Sequence, residues 1–116
     1  MVQKLKDTSN RILQEINNGK IFLLDAATGT YLQNNGLEPG GCPELMNIES
    51  PEIISKMART YFSNGSDIVL TNTFGGNYYR LKHYGLENKV IEINKLAAEI
   101  AKNASKDYEN KYVFGS

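Results

Sequence analysis

A parallel α/β fold is what this sequence predicts, and three observations carry the prediction. Three short apolar runs, Ile21 to Leu24, Asp67 to Leu70 and Tyr112 to Phe114, lack the alternation of half-exposed strands and so read as strands of a covered sheet. Segments with helical periodicity stand between them. The resulting order, strand–helix–strand–helix–strand, is that of right-handed βαβ units, whose strands lie parallel. An open doubly wound sheet and a (β/α)8 barrel both satisfy this order. The Gly-x-Gly-x-x-Gly turn often found after the first strand of an open sheet is absent. A closed barrel takes roughly 250 residues. Three parallel strands in 116 residues would be only the N-terminal β/α units of such a barrel, an incomplete one, and the order of elements alone leaves both architectures open.

Each element has a local reason. Leu5 to Asn18 reads as a helix with Ile12, Leu13 and Ile16 on one face, and Gly19 stops it. Residues 1–19 thus form a helical segment before the first strand. Asp25 to Glu49 carries Gly29, Gly36, Pro39, Gly40, Gly41 and Pro43, so most of it reads as loop, with one helical turn from Thr30 to Asn35 ended by Gly36. Ser50-Pro51-Glu52 is a helix start: a capping hydroxyl, proline at the first helical position and an acid in the first turn. Ile53, Ile54, Met57, Ala58 and Tyr61 follow at helical spacing until Asn64-Gly65. After the second strand, Thr71 to Asn77 is a polar loop, and Tyr78 to Tyr84 a short helix ended by Gly85. A long helix from Glu87 to Ser105 places Val90, Ile93, Ala97, Ile100, Ala101 and Ala104 on one face.

Composition narrows the function classes. Hydrophobic residues at 41% and charged residues at 22% are those of an ordered globular domain, so 1–116 is read as one domain segment. Thirteen basic and thirteen acidic residues cancel, leaving no field to attract nucleic acid or an anionic membrane. The longest apolar run, Ile21 to Leu24, is too short to cross a bilayer, and Met1 to Asn10 has no signal-peptide core. A cytoplasmic protein is the expectation.

Metal and nucleophile chemistry has little to draw on. Cys42 is the only cysteine and forms no internal disulfide or multi-cysteine site. No Lys or Arg stands between Tyr31 and Ile53 to lower its pKa, so it reads as a small buried residue beside Pro43. His83 reads as an exposed residue at the end of a short helix. Paired histidines, Cys-x-x-Cys and Gly-x-Ser-x-Gly are absent, and Gly40-Gly41 lacks the Lys-Ser or Lys-Thr of a phosphate loop. Glu52 reads as helix-start electrostatics and Glu49 as solvated.

Ligands of parallel α/β folds sit at the carboxyl ends of the strands, and two polar segments stand there. Asp25, Ala26, Ala27, Thr28 and Gly29 follow the first strand. Asp25 either offers a carboxylate to a substrate ammonium group, with small residues allowing close approach, or caps the turn. Thr71, Asn72 and Thr73 follow the second strand and either bind a substrate carboxylate or bond to their own backbone. Phe74 reads as a packing residue.

Taken together, Leu23-Leu24-Asp25-Ala26-Ala27-Thr28-Gly29-Thr30, Cys42-Pro43-Glu44-Leu45 with Asn47, and Asp67 to Phe74 resemble the homocysteine S-methyltransferase family. Tyr84-Gly85-Leu86, Asn94 with Ala97, Ile100 and Ala101, and Val113-Phe114-Gly115-Ser116 fit the same pattern. The resemblance runs from about Ile21 to the last residue, closest to the homocysteine-binding module of cobalamin-dependent methionine synthases. It implies a (β/α)8 barrel that moves a methyl group to the sulfur of homocysteine, giving methionine. It further implies that Asp25, Ala26, Ala27, Thr28 and Gly29 bind the amino-acid end of homocysteine, with Thr71, Asn72 and Thr73 lining the same pocket.

The resemblance also implies zinc in the full-length enzyme, held by three cysteine thiolates of later strands, an adjacent Cys-Cys pair among them. None of these is present, Cys42 does not map onto a ligand, and no catalytic residue or bound cofactor is expected within 1–116. Donor-binding segments are expected beyond residue 116, leaving open cobalamin as methyl carrier on a corrinoid protein or domain, betaine and S-methylmethionine. Ala26 departs from the commoner glycine after the aspartate. If that glycine has positive φ, the methyl group adds strain and signals a corrinoid-linked enzyme with another acceptor. A third reading is a non-catalytic α/β module. Unpaired strand edges lead us to expect that the isolated segment is poorly stable, self-associates or requires the remaining barrel strands.

Overall fold

The sheet is smaller than the sequence predicts. The computed structural model describes residues 1–116. In it, β1 (Ile68–Leu70) and β2 (Tyr112–Phe114) pair in parallel, with Ile68 opposite Tyr112, Val69 opposite Val113 and Leu70 opposite Phe114. The first apolar run is not a regular strand: it joins β1 through a single parallel bridge, Leu24 to Ile68. Backbone bonds from Ile68 N–H to the Leu23 carbonyl (3.1 Å) and from Asp25 N–H to the Ile68 carbonyl (2.9 Å) hold it there. It is also not buried on both faces. Ile21, Leu23 and Leu24 are 81%, 58% and 53% exposed, because only Phe22 finds apolar partners, Ile12, Ile68 and Tyr112.

Six α-helices surround this sheet. Helix α1 (Val2–Asn17) ends at Gly19 as expected, but of its apolar face only Ile12 is buried. Leu13 and Ile16 stay exposed, since a two-stranded sheet offers α1 a narrow surface. Helix α2 (Thr28–Gln33) begins before the predicted turn and buries Leu32. The segment read as loop contains a 3-10 turn, Pro43–Leu45, followed by α3 (Met46–Glu49).

Helix α4 (Pro51–Ser63) starts at the predicted Ser-Pro-Glu, yet the Ser50 hydroxyl makes no capping bond. The Ile53 N–H it would cap is taken by Ser50's own carbonyl at 3.0 Å. At the other end, Gly65 N–H donates to the Phe62 carbonyl and Ser66 N–H to the Tyr61 carbonyl, a turn that requires the left-handed backbone Gly65 adopts at φ +109°. Helix α5 (Tyr78–Lys82) is capped by Asn77 Oδ1, which accepts the Arg80 N–H at 3.0 Å. The predicted long helix opens with a 3-10 turn, Glu87–Lys89, and becomes α6 at Val90–Ser105.

Packing explains which residues are apolar. Helices α4 and α6 cross each other over one sheet face, where Ala58, Phe62, Val69 and Ala104 form a buried cluster with Tyr61, Tyr108 and Val113. Alanines at 97, 101 and 104 keep the inward face of α6 thin, which lets it approach the sheet closely. Helix α1 covers the other face through Ile12, against Ile68 and Tyr112. Arg11 reinforces that contact by donating to the Tyr112 hydroxyl at 2.8 Å. Beyond β2 an apolar cleft of about 550 Å³ opens, lined by Leu5, Ala98, Val113 and Phe114 among others. No helix is long and apolar enough to cross a membrane.

Candidate functional site

Both strand-end segments meet at one end of the sheet, around a cleft of about 420 Å³. Thr28 and Gly29 line it from the first segment, and Leu70, Thr71, Asn72, Thr73 and Phe74 from the second. Pro43, Glu44 and Ser116 complete the wall. Five of the predicted site residues, Thr28, Gly29, Thr71, Asn72 and Thr73, are therefore brought together. Asp25, Ala26 and Ala27 stand beside the cleft rather than in its lining.

Asp25 is half-buried at the strand end. Its Oδ2 accepts the Leu70 N–H at 3.0 Å, so this carboxyl ties the first apolar run to the end of β1. Burial pushes its pKa up, opposed by the Leu70 N–H and by its own backbone N–H. Tyr61 donates to the Ala27 carbonyl at 2.8 Å, and its pKa is raised by burial and then by the Asp25 and Tyr31 charges. Ala26 is exposed and does not have positive φ, so its methyl group adds no backbone strain.

The second segment is tightly bonded. Thr71 and Thr73 share a hydroxyl–hydroxyl bond at 2.7 Å, and Thr73 donates to the Ser116 carbonyl at 3.2 Å. Asn72 turns inward. Its Nδ2 donates to the Pro43 carbonyl (2.9 Å) and to Asn47 Oδ1 (3.0 Å). Asn47, 1% exposed, donates back to the Asn72 carbonyl at 2.9 Å and more weakly to the Ile93 carbonyl at 3.4 Å. Asn72 is thus committed to holding the Pro43 turn against the strand end. Phe74 is not a packing residue: it is 88% exposed at the cleft.

Glu44, which the sequence offers only as part of the Cys-Pro-Glu motif and without a site role, lines the cleft. It is 6% exposed, Oε1 accepts the Gly75 N–H at 2.6 Å, and Cys42 Sγ lies 3.5 Å from Oε2. A glutamate flanked by Pro43 and Leu45 within a glycine-rich stretch gives no periodicity from which burial can be read. Cys42 is buried, and burial raises its pKa, with the Glu44 charge and hydrogen bond adding to the rise against backbone donors. The thiol is therefore held protonated. His83 is exposed just beyond α5, as its sequence context predicts. No three His, Cys, Asp or Glu side chains converge on one point, so these donors do not fit a three-thiolate metal centre.

Comparison with known proteins places the chain. The family model described as homocysteine S-methyltransferase matches residues 22–116. The methionine synthase of Mycobacterium leprae is 32% identical over 109 aligned positions, covering 84% of this chain and 9% of that protein. That of Mycobacterium tuberculosis is 30% identical over 116 positions, covering 90% of this chain and 10% of that protein. The chain thus spans about a tenth of the length of these relatives. Among solved structures, the metallated form of the homocysteine methyltransferase MmuM from Escherichia coli superposes with a TM-score of 0.74 at 21% identity, over 89% of this chain and 40% of that one. Its oxidized form gives 0.73 at 20%, over 90% and 39%. At that identity the likeness is one of fold. The methionine synthase relatives and the family match over both strand-end segments establish that this chain belongs to the homocysteine S-methyltransferase family.

Proposed function

We propose that residues 1–116 supply the substrate-binding loops of an enzyme that moves a methyl group to the sulfur of homocysteine, giving methionine. The observation that carries this is the cleft itself: two segments more than forty residues apart, both inside the family match, line one cavity at the strand ends. Its volume of about 420 Å³ lies within the range of small-molecule sites. The Leu24–Ile68 bridge, β1 and β2 are then the first three strands of a (β/α)8 barrel, and residues 1–19 the helical segment before them. The exposed Ile21, Leu23 and Leu24, and the apolar cleft beyond β2, suit surfaces that further barrel strands cover. Presented alone, such edges favour self-association.

Each residue has a chemical task in this reading. The Thr71 and Thr73 hydroxyls can donate to or accept from the amino-acid end of homocysteine, and Gly29, with open space at its Cβ position, lets that end approach the backbone. Asp25, one oxygen on Leu70, stands beside the cleft and offers its charge to the ammonium group. Ala26 and Ala27, exposed beside the cleft, present only methyl groups to an approaching ligand, and Thr28 lines the cleft itself. Asn72 braces the wall instead of touching substrate. The zinc implied by the family pattern finds no ligand set among these residues, so its thiolates, and any cobalamin or corrinoid partner, belong to other parts of the enzyme.

Calorimetric titration of the intact protein tests this reading. Homocysteine is expected to bind at least tenfold more tightly than cysteine, or than a simple thiol or amine lacking its amino-acid end. Equal affinity for all of them favours a methyltransferase with another acceptor.

A further inference from the structure

We propose that Glu44 is a positioning residue that holds the second strand-end segment in place across the cleft. A carboxyl group buried to 6% exposure is costly unless its oxygens are bonded, and none of the chain's ion pairs includes Glu44. Both oxygens instead have uncharged donors: Gly75 N–H at 2.6 Å and the Cys42 thiol at 3.5 Å. The first bond crosses from the Pro43–Leu45 turn to the segment that carries Thr71 and Thr73, so it joins two walls of one cavity.

The fit is close. A Cβ on residue 75 would stand 2.8 Å from Glu44 Oε1, which explains glycine at this position. On its far side the same segment is gripped by Asn94, whose Nδ2 donates to the Gly76 carbonyl at 2.7 Å. Gly76 N–H in turn donates to the Thr73 carbonyl at 2.9 Å, so displacement of Gly75 is passed to Thr73. Reach therefore matters more than charge at position 44. Glutamine keeps a carbonyl acceptor for Gly75 and can turn its amide toward the Cys42 sulfur. Aspartate keeps the charge but withdraws the oxygens by about one bond length, too far to make a 2.6 Å contact.

This inference rests on the cleft being the homocysteine site, and the test separates the two. Hydrogen exchange of the peptide spanning residues 71–77 is measured by mass spectrometry in the intact protein without ligand, and homocysteine affinity is measured on the same samples. E44D is expected to speed exchange in that peptide and weaken homocysteine binding, each by roughly tenfold, while E44Q stays within about threefold of the parent on both. Parent-like exchange and affinity in folded E44D would overturn the proposal. So would an E44Q as impaired as E44D, since charge rather than reach would then govern. Should E44D not fold, G75A forces the carboxyl away from the other side and must accelerate the same peptide; normal protection there overturns the proposal. Failure of the unsubstituted protein to bind homocysteine removes the functional reading of the cleft, while the exchange comparison still decides whether Glu44 holds the segment.

Discussion

Asn47→Leu is expected to cost about 3 kcal/mol of folding stability. Leucine keeps the branched skeleton of asparagine but has bulkier ends, so overpacking adds to that loss. The rest comes from polar groups left unpaired in a buried place. Asn47 is 1% exposed and sits in a closed exchange with Asn72, each donating to the other at 2.9 and 3.0 Å. Leucine leaves the Asn72 carbonyl without its donor and the Asn72 amide with only the Pro43 carbonyl. Each unsatisfied buried group costs about 1–3 kcal/mol. Urea unfolding, compared at equal m-value, measures the sum. A loss below about 1 kcal/mol would mean that water enters and replaces the amide, and that the Pro43 turn is held by packing alone. The double variant with Asn72→Leu is expected to lose less than the sum of the single losses, because both substitutions remove the same Asn72 Nδ2 to Asn47 Oδ1 bond.

Asp25→Asn is expected to weaken homocysteine binding by about ten- to a hundredfold, the loss of a charge-assisted hydrogen bond to an ammonium group. Its stability should move the other way. Burial raises the folded-state pKa of Asp25 above the ordinary 3.8, so the folded protein holds this proton more tightly than the unfolded chain. Stability from that proton is fully present below pH 3.8 and is lost as pH rises through the raised folded value. Asparagine does not titrate, and its carbonyl can still accept the Leu70 N–H. The variant should therefore gain stability relative to the parent between acidic and neutral pH. Urea midpoints at pH 3.5 and pH 7 read this directly: a stability difference that does not change with pH contradicts the assignment. Unchanged homocysteine affinity would leave Asp25 as a brace between Leu24 and Leu70 and nothing more.

How far the sequence carries this account depends on how many residues speak for each element. Helices α4 and α6 were legible because long amphipathic periods and the glycine at position 65 agree on where they run. Two strands were legible as short apolar runs between those periods. The run from Ile21 to Leu24 carried the same signal and yields only one bridge. Apolarity reports that a segment wants cover, whereas strand pairing depends on what lies beside it, and in this chain only β1 does.

The site divides in the same way. Thr28, Gly29, Thr71, Asn72 and Thr73 converge as strand-end residues of a parallel sheet should. The inward turn of Asn72 was not legible, because its partner Asn47 lies on α3, a helix of a single turn without a period to betray it. Glu44 was hidden for a related reason: its burial is set by Gly75, far along the chain. Phe74 shows the converse, an aromatic residue whose apolarity suggests packing but which stands exposed at the cleft.

The central claim is that the cleft between the two strand-end segments receives the amino-acid end of homocysteine. Hydrogen exchange of the intact protein, with and without saturating homocysteine, tests it most directly. The account predicts that peptides covering Asp25–Thr30 and Thr71–Asn77 gain protection together, with one shared binding curve. Saturable binding that protects peptides elsewhere while leaving both of these unchanged would contradict it.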